Sequence, residues 1–118
     1  MLSLEDFLPH PAQMDIKHPI SGAVVGTLTV VGDDSGEVRN TVIDTMLMRA
    51  EATLTAEQKR ERIHTQQAAY IVGWDERVAK TMGAYTPELA IAFVKKFPTI
   101  ADQVASFVKD RERFFTKA

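Results

Sequence analysis

The hydrophobic period of this chain changes once, across Gly32-Asp33-Asp34-Ser35-Gly36. Before that point apolar and polar residues alternate. Met14-Asp15-Ile16-Lys17 has the period of two of a half-buried strand. His18-Pro19-Ile20-Ser21-Gly22 reads as a turn, because Pro fixes φ and Gly permits the reversal. Ala23 to Val31 is then rich in Val and Thr, with Val24, Leu28 and Val30 on one expected face and Val25, Thr27 and Thr29 on the other. Gly26, on the first face, marks a bulge or a close packing point. The two runs predict a β-hairpin over residues 14–32. A lone hairpin is marginal in water, so it must pack on the remainder of the chain.

That remainder has helical spacing. Asp34 followed by Glu37 fits a capping box, and Val38, Val42, Met46 and Ala50 form a stripe. Thr55-Ala56-Glu57-Gln58 is a second box. It opens a long amphipathic helix carrying Ile63, Tyr70, Ile71, Trp74 and Val78 and ended by Gly83. Thr86-Pro87-Glu88 starts another, with Ala90, Phe93, Val94 and Phe97 as its buried face. Pro98 interrupts that helix and begins the last, lined by Ile100, Val104, Phe107, Val108 and Phe115. The expected fold is α+β, mostly α: an N-terminal β-hairpin and about four helices packed as a small bundle. One domain is expected over 1–118, with 1–13 a flexible lead and 34–115 the helical part.

Composition removes whole classes. A chain of 118 residues with 45% hydrophobic and 25% charged side chains is globular in character. With no Cys there is no disulfide, thiolate metal site or cysteine nucleophile. The acidic start Met1-Leu2-Ser3-Leu4-Glu5-Asp6 is unlike a secretory signal, and the aliphatic runs are too short to span a bilayer, so a soluble, unexported protein is expected. A net charge of −2 argues against nucleic-acid binding. That total averages a front of −5 over residues 1–56 with an end of +3 over 95–118. Such asymmetry favours head-to-tail self-association or a partner with the opposite pattern; the plainer account is a set of solvated helix faces.

No catalytic, cofactor or metal site is expected. The Gly residues lack the Lys-Ser/Thr of a phosphate loop. His10, His18 and His64 have unrelated contexts, and His10 and His18 flanking Asp15 fall short of the three or four ligands zinc needs. Asp33-Asp34-Ser35-Gly36-Glu37 lacks the spacing of a calcium loop. Thr99 to Ala105 superficially matches the start of a helix-turn-helix, but Asp102 would face phosphates and no basic recognition helix comes after it. The aromatics are more informative. Phe114 and Phe115, adjacent on a helix, would diverge by about 100°, so one of them is a candidate for an exposed contact. A C-terminus folded back on the domain is the alternative.

The residues resemble, in order, the tail assembly chaperones of long-tailed, siphovirus-like bacteriophages. His18-Pro19-Ile20-Ser21-Gly22, the Val-rich run and Gly32-Asp33-Asp34-Ser35 are similar to that family's N-terminal hallmark. Gly73-Trp74-Asp75 resembles its Trp-centred segment. Thr86-Pro87-Glu88, Phe97-Pro98, Gln103-Val104 and Asp110-Arg111 with Phe114 resemble its C-terminal pattern. Leu89 departs from it, standing where Asn is common, and Thr81 to Ala84 is a compact linker where some relatives are longer. The resemblance covers about residues 16–115. It implies a non-enzymatic protein of the host bacterial cytoplasm, absent from the mature virion. Such a protein binds and solubilises the tape measure protein and assists tail tube polymerisation. It further implies a longer, frameshifted form that recruits the tail tube protein, with no membrane or nucleic-acid partner. Val104, Phe107, Phe114 and Phe115 are the expected contacts with the tape measure protein or with a neighbouring copy in a homo-oligomer. The rival readings are a minor tail or head–tail connector protein and, behind it, a small helix-turn-helix regulator.

Overall fold

The computed structural model describes residues 3–51 and 54–115, with the backbone alone for 45–51. Met46 and Ala50 of the expected stripe fall among side chains outside that description. The hairpin forms from β1 (Ala12–Lys17) and β2 (Val24–Val30), antiparallel, with Met14 opposite Leu28 and Ile16 opposite Gly26. The register then shifts so that Lys17 faces Val24, leaving Val25 as the extra residue of a bulge. That bulge turns Val24 outward, and it is 41% exposed instead of sharing the buried face of Leu28 and Val30. Gly26 is also a close packing point. A Cβ there would lie 2.8 Å from Val78 Cγ2.

The helix α1 (Gly36–Glu51) is capped by Ser35, whose Oγ accepts from the Val38 N–H at 3.2 Å. The expected cap at Asp34 is corrected: Ser35 stands one residue nearer the first turn, and the Asp34 carboxylate turns instead to Arg111 and Arg39. The capping box of α2 (Ala56–Ala68) is present, with reciprocal Thr55–Gln58 bonds of 2.9 and 3.1 Å.

The single long helix expected to run to Gly83 is three elements. After α2 come β3 (Ile71–Trp74) and α3 (Glu76–Met82), so residues 34–115 are not wholly helical. The physical reason is local. Ile71 and Val72 are β-branched, Gly73 is a weak helix former, and β2 offers an open edge. Asp75 then restarts a helix, its Oδ1 accepting from the Val78 N–H at 3.1 Å. The strand β3 pairs antiparallel with β2, Trp74 opposite Leu28, giving a three-stranded sheet in the order β1-β2-β3.

Helices α4 (Pro87–Lys96) and α5 (Pro98–Val108) meet at Phe97-Pro98 as expected, and Thr86 Oγ1 caps α4 on the Leu89 N–H. Among the described residues there are five α-helices. The last stops at Val108, so Phe114 and Phe115 are not on it; a 3₁₀ turn spans Arg111–Phe114. The lead carries a 3₁₀ turn at Leu4–Phe7, and the His10 N–H donates to the Phe114 carbonyl at 2.8 Å. One core joins Met14, Ile16, Leu28, Val30 and Ile71 of the sheet to Phe93, Val94, Val104, Val108 and Phe114. Trp74 locks the rim of that core. Its ring meets Tyr85 edge-on at 5.1 Å and its Nε1–H donates to the Gly83 carbonyl at 3.0 Å.

Phe114 seals the end of β2, where a Cβ on Gly32 would lie 2.8 Å from its Cδ2. Phe114→Ala is expected to destabilise the fold by about 3–5 kcal/mol through the cavity it leaves. Gly32→Ala is expected to cost about 1–3 kcal/mol by overpacking the same contact. Urea denaturation of the two variants checks both values.

Candidate functional site

The four residues expected to contact a partner converge at one end of the molecule, but they do not share one role. Val104 on α5 and Phe114 in the 3₁₀ turn are 3% and 1% exposed and belong to the core. Phe107 and Phe115 are half-buried and pack against it from outside. The Phe107 and Phe114 rings meet edge-on at 5.9 Å. Phe115 comes after the turn in extended backbone, so one ring points in and its neighbour lies at the rim. The expected divergence of the pair is present, produced by a turn and not by a helix.

Two guanidinium groups overlie the rim aromatics. Arg113 sits 4.4 Å from the Phe107 centroid and Arg111 sits 5.8 Å from that of Phe115, both within cation–π range. Each guanidinium is also paired with a carboxylate, Arg111 with Asp34 and Arg113 with Asp110 at 3.3 Å, so the aromatic rim is bordered by charge-paired arginines. Asp34 holds Arg111 in place. Arg111 Nε and Nη2 donate to its two carboxylate oxygens at 2.7 and 2.8 Å, and Arg39 Nη2 adds a third bond at 3.2 Å. These bonds, Arg111 first, keep the Asp34 carboxyl below its usual range against the opposing effect of burial. Asp33 beside it accepts from the Tyr70 hydroxyl. Burial, then that carboxylate, pushes the Tyr70 phenol up to about 12. The acidic turn after β2 is thus a clasp, with one carboxylate on Tyr70 and the other on the C-terminal arginine.

Sequence reasoning missed this clasp because Asp34 and Arg111 lie 77 positions apart and no local spacing links them. It also missed Gln103, whose side-chain amide brackets the Lys17 backbone: the Lys17 N–H donates to Oε1 at 3.1 Å and Nε2 donates to the Lys17 carbonyl at 2.6 Å. The histidines take separate local roles. His18 Nδ1 accepts from the Ile20 and Ser21 N–H groups at 3.2 Å, shaping the turn. His64 lies near Gln67, and His10 Nδ1 lies 3.1 Å from the Pro11 carbonyl. Among the described residues no three His, Cys, Asp or Glu side chains converge as metal ligands.

The low Asp34 carboxyl fixes the sign of a pH effect. Its contribution to stability is full above the ordinary carboxylate value of about 3.9 and is lost as pH falls through the lowered folded value. Asp34→Asn is therefore expected to lower the urea midpoint at pH 7, with the gap to wild type closing below about pH 4. A gap that does not narrow as pH falls below about 4 contradicts the clasp.

Comparison of the chain with protein-family models, with curated proteins and with solved structures gives no match.

Proposed function

We propose that this chain is a tail assembly chaperone of a long-tailed bacteriophage, a non-enzymatic protein of the host cytoplasm that is left out of the mature virion. It binds the tape measure protein, keeps it soluble, and assists the tail tube protein in polymerising around it; a longer frameshifted form supplies the tail tube contact. One observation carries this reading. The ordered motifs of the resemblance fall on the joints of the fold. His18 organises the hairpin turn and Trp74 bonds Gly83. Phe97-Pro98 breaks α4 from α5, Gln103 brackets Lys17, and Arg111 grips Asp34. Gln103 and Arg111 close contacts across 86 and 77 positions, and the other motifs set a turn, a ring anchor and a helix break.

The rim of Phe107 and Phe115 under Arg113 and Arg111 is the contact face of this proposal, while Val104 and Phe114 support it from below. An apolar floor bordered by charge-paired arginines suits the apolar stripe of an amphipathic helix. A long helical partner would present such a stripe many times over, so one modest face serves many copies.

Co-expression with the product of a very long helical reading frame beside this gene tests the proposal. The double variant Phe107→Ser/Phe115→Ser and the surface variant Arg113→Glu are expected to weaken binding about tenfold or more and to return the partner to the pellet. Circular dichroism of each variant separates loss of binding from loss of fold. Unchanged partner solubility with Arg113→Glu and the folded double variant contradicts the proposal. Stoichiometric recovery of the chain in purified particles by mass spectrometry assigns it instead to a minor tail or connector role.

A further inference from the structure

The outer edge of β1 is open where it runs beside α5. Backbone direction is fixed by two sets of bonds. The Thr27 carbonyl accepts from the Asp75 N–H at 3.0 Å, so Thr27 turns its backbone groups toward β3 and away from its β1 partner Asp15. Lys17 spends its N–H and C=O on Gln103, on the side away from β2. Antiparallel pairing alternates, so Gln13, Asp15 and Lys17 all point their backbone groups outward. Gln103 occupies Lys17. The outward N–H and C=O groups of Gln13 and Asp15 meet no partner among the described residues.

Beside this edge lies a groove of about 500 Å³ whose far wall is α5, with Asp102, Gln103 and Phe107 facing β1 and Arg113 at its end. We propose that this groove binds an extended segment of another polypeptide, which adds as a fourth strand on β1. Gln103 is the end-stop of the added strand. Its amide already makes at Lys17 the two bonds that a neighbouring strand would make.

An antiparallel β1 of a second copy does not fit this edge. With Gln13 opposite Asp15 of the copy, Pro11 of the copy falls opposite Lys17, where Gln103 already sits. With Asp15 opposite itself, two carboxylates face each other and Gln13 of the copy collides with Gln103. With Gln13 opposite itself, Asp15 meets Pro11, which has no N–H to give. Charge narrows the partner further. Asp15 and Asp102 enter no ion pair among the described residues, whereas Arg113 is held by Asp110 at 3.3 Å. The segment therefore has no proline where its N–H faces β1 and carries Lys or Arg across from Asp15, with an apolar residue beside it toward Phe107. This inference does not rest on the chaperone reading, although Phe107 and Arg113 border both surfaces; protection of the Gln13 and Asp15 amides is the readout that belongs to the groove alone.

A blocked tetrapeptide, acetyl-Lys-Val-Thr-Val-amide, is the probe: antiparallel to β1, its Lys lies opposite Asp15 and its Thr opposite Gln13, so it stops short of Lys17 and Gln103. Titrated into the full-length chain and monitored by amide-resolved NMR, it is expected to slow hydrogen exchange at Gln13 and Asp15 about tenfold near saturation. Exchange at Met14 and Ile16, already bonded to β2, is expected to stay unchanged. N-methylation of the peptide's Lys, which removes a donor facing β1, should abolish binding, and N-methylation of a Val should spare it. Asp15→Asn, or Glu in place of the peptide's Lys, should weaken binding about three- to tenfold. No shift at millimolar peptide, or shifts at Phe107 and Arg113 without protection of the two amides, overturns the proposal. So does a concentration-dependent dimer that protects those amides in the absence of peptide.

Discussion

Both neighbours of β2 depend on its being a central strand. A hairpin of β1 and β2 alone has too little to bury, and β3 is too short to persist by itself. Pairing on both sides of β2 resolves the two problems together: Leu28 and Val30 become fully buried, and Ile71 joins them. Glycines at each end of the strand let other elements come close. At Gly26 the absent Cβ admits Val78 of α3, and at Gly32 it admits the Phe114 ring. The C-terminal segment is thereby fixed against the sheet, and the His10 to Phe114 bond ties the lead to the same place.

The elements legible in the sequence were those whose signals are local. Pro98, the Thr86 cap, the Thr55–Gln58 box and the glycine at 83, with φ of 92°, each act within a few residues, and each stands where its chemistry puts it. The strand β3 was illegible for the opposite reason. Tyr70, Ile71, Trp74 and Val78 fit a helical stripe and a strand leading into a capped helix almost equally well. Only the unpaired edge of β2, more than 40 residues earlier, decides between them. Val24 failed likewise, because period-two counting assumes an unbroken register and the bulge at Val25 breaks it.

The charge gradient has a similar history. In sequence it is an acidic front and a basic end; in three dimensions part of it is spent inside one molecule. Asp34 takes Arg111 and Arg39, and Glu61 takes Lys95. Exposed pairs of this kind contribute little to stability, but a bidentate arginine also fixes direction. Arg111 is thereby positioned over Phe115, and what reads as a field for self-association becomes a means of orienting one face.

The two edges of the sheet are finished differently, and the difference comes from what packs against each. At β3 the Tyr85 hydroxyl donates to the outward Ile71 carbonyl at 2.7 Å, and the strand is only four residues long. Both devices limit pairing with another chain. β1 is longer and is finished by a single side chain at one end. A glutamine amide is the side chain best suited to that task, since it carries one donor and one acceptor in a peptide-like plane. It can satisfy both backbone groups of Lys17 without extending the sheet. A carboxylate there would lose the donor and an alanine would lose both, so the closed end of β1 depends on the identity of residue 103 in a way its helical spacing does not reveal.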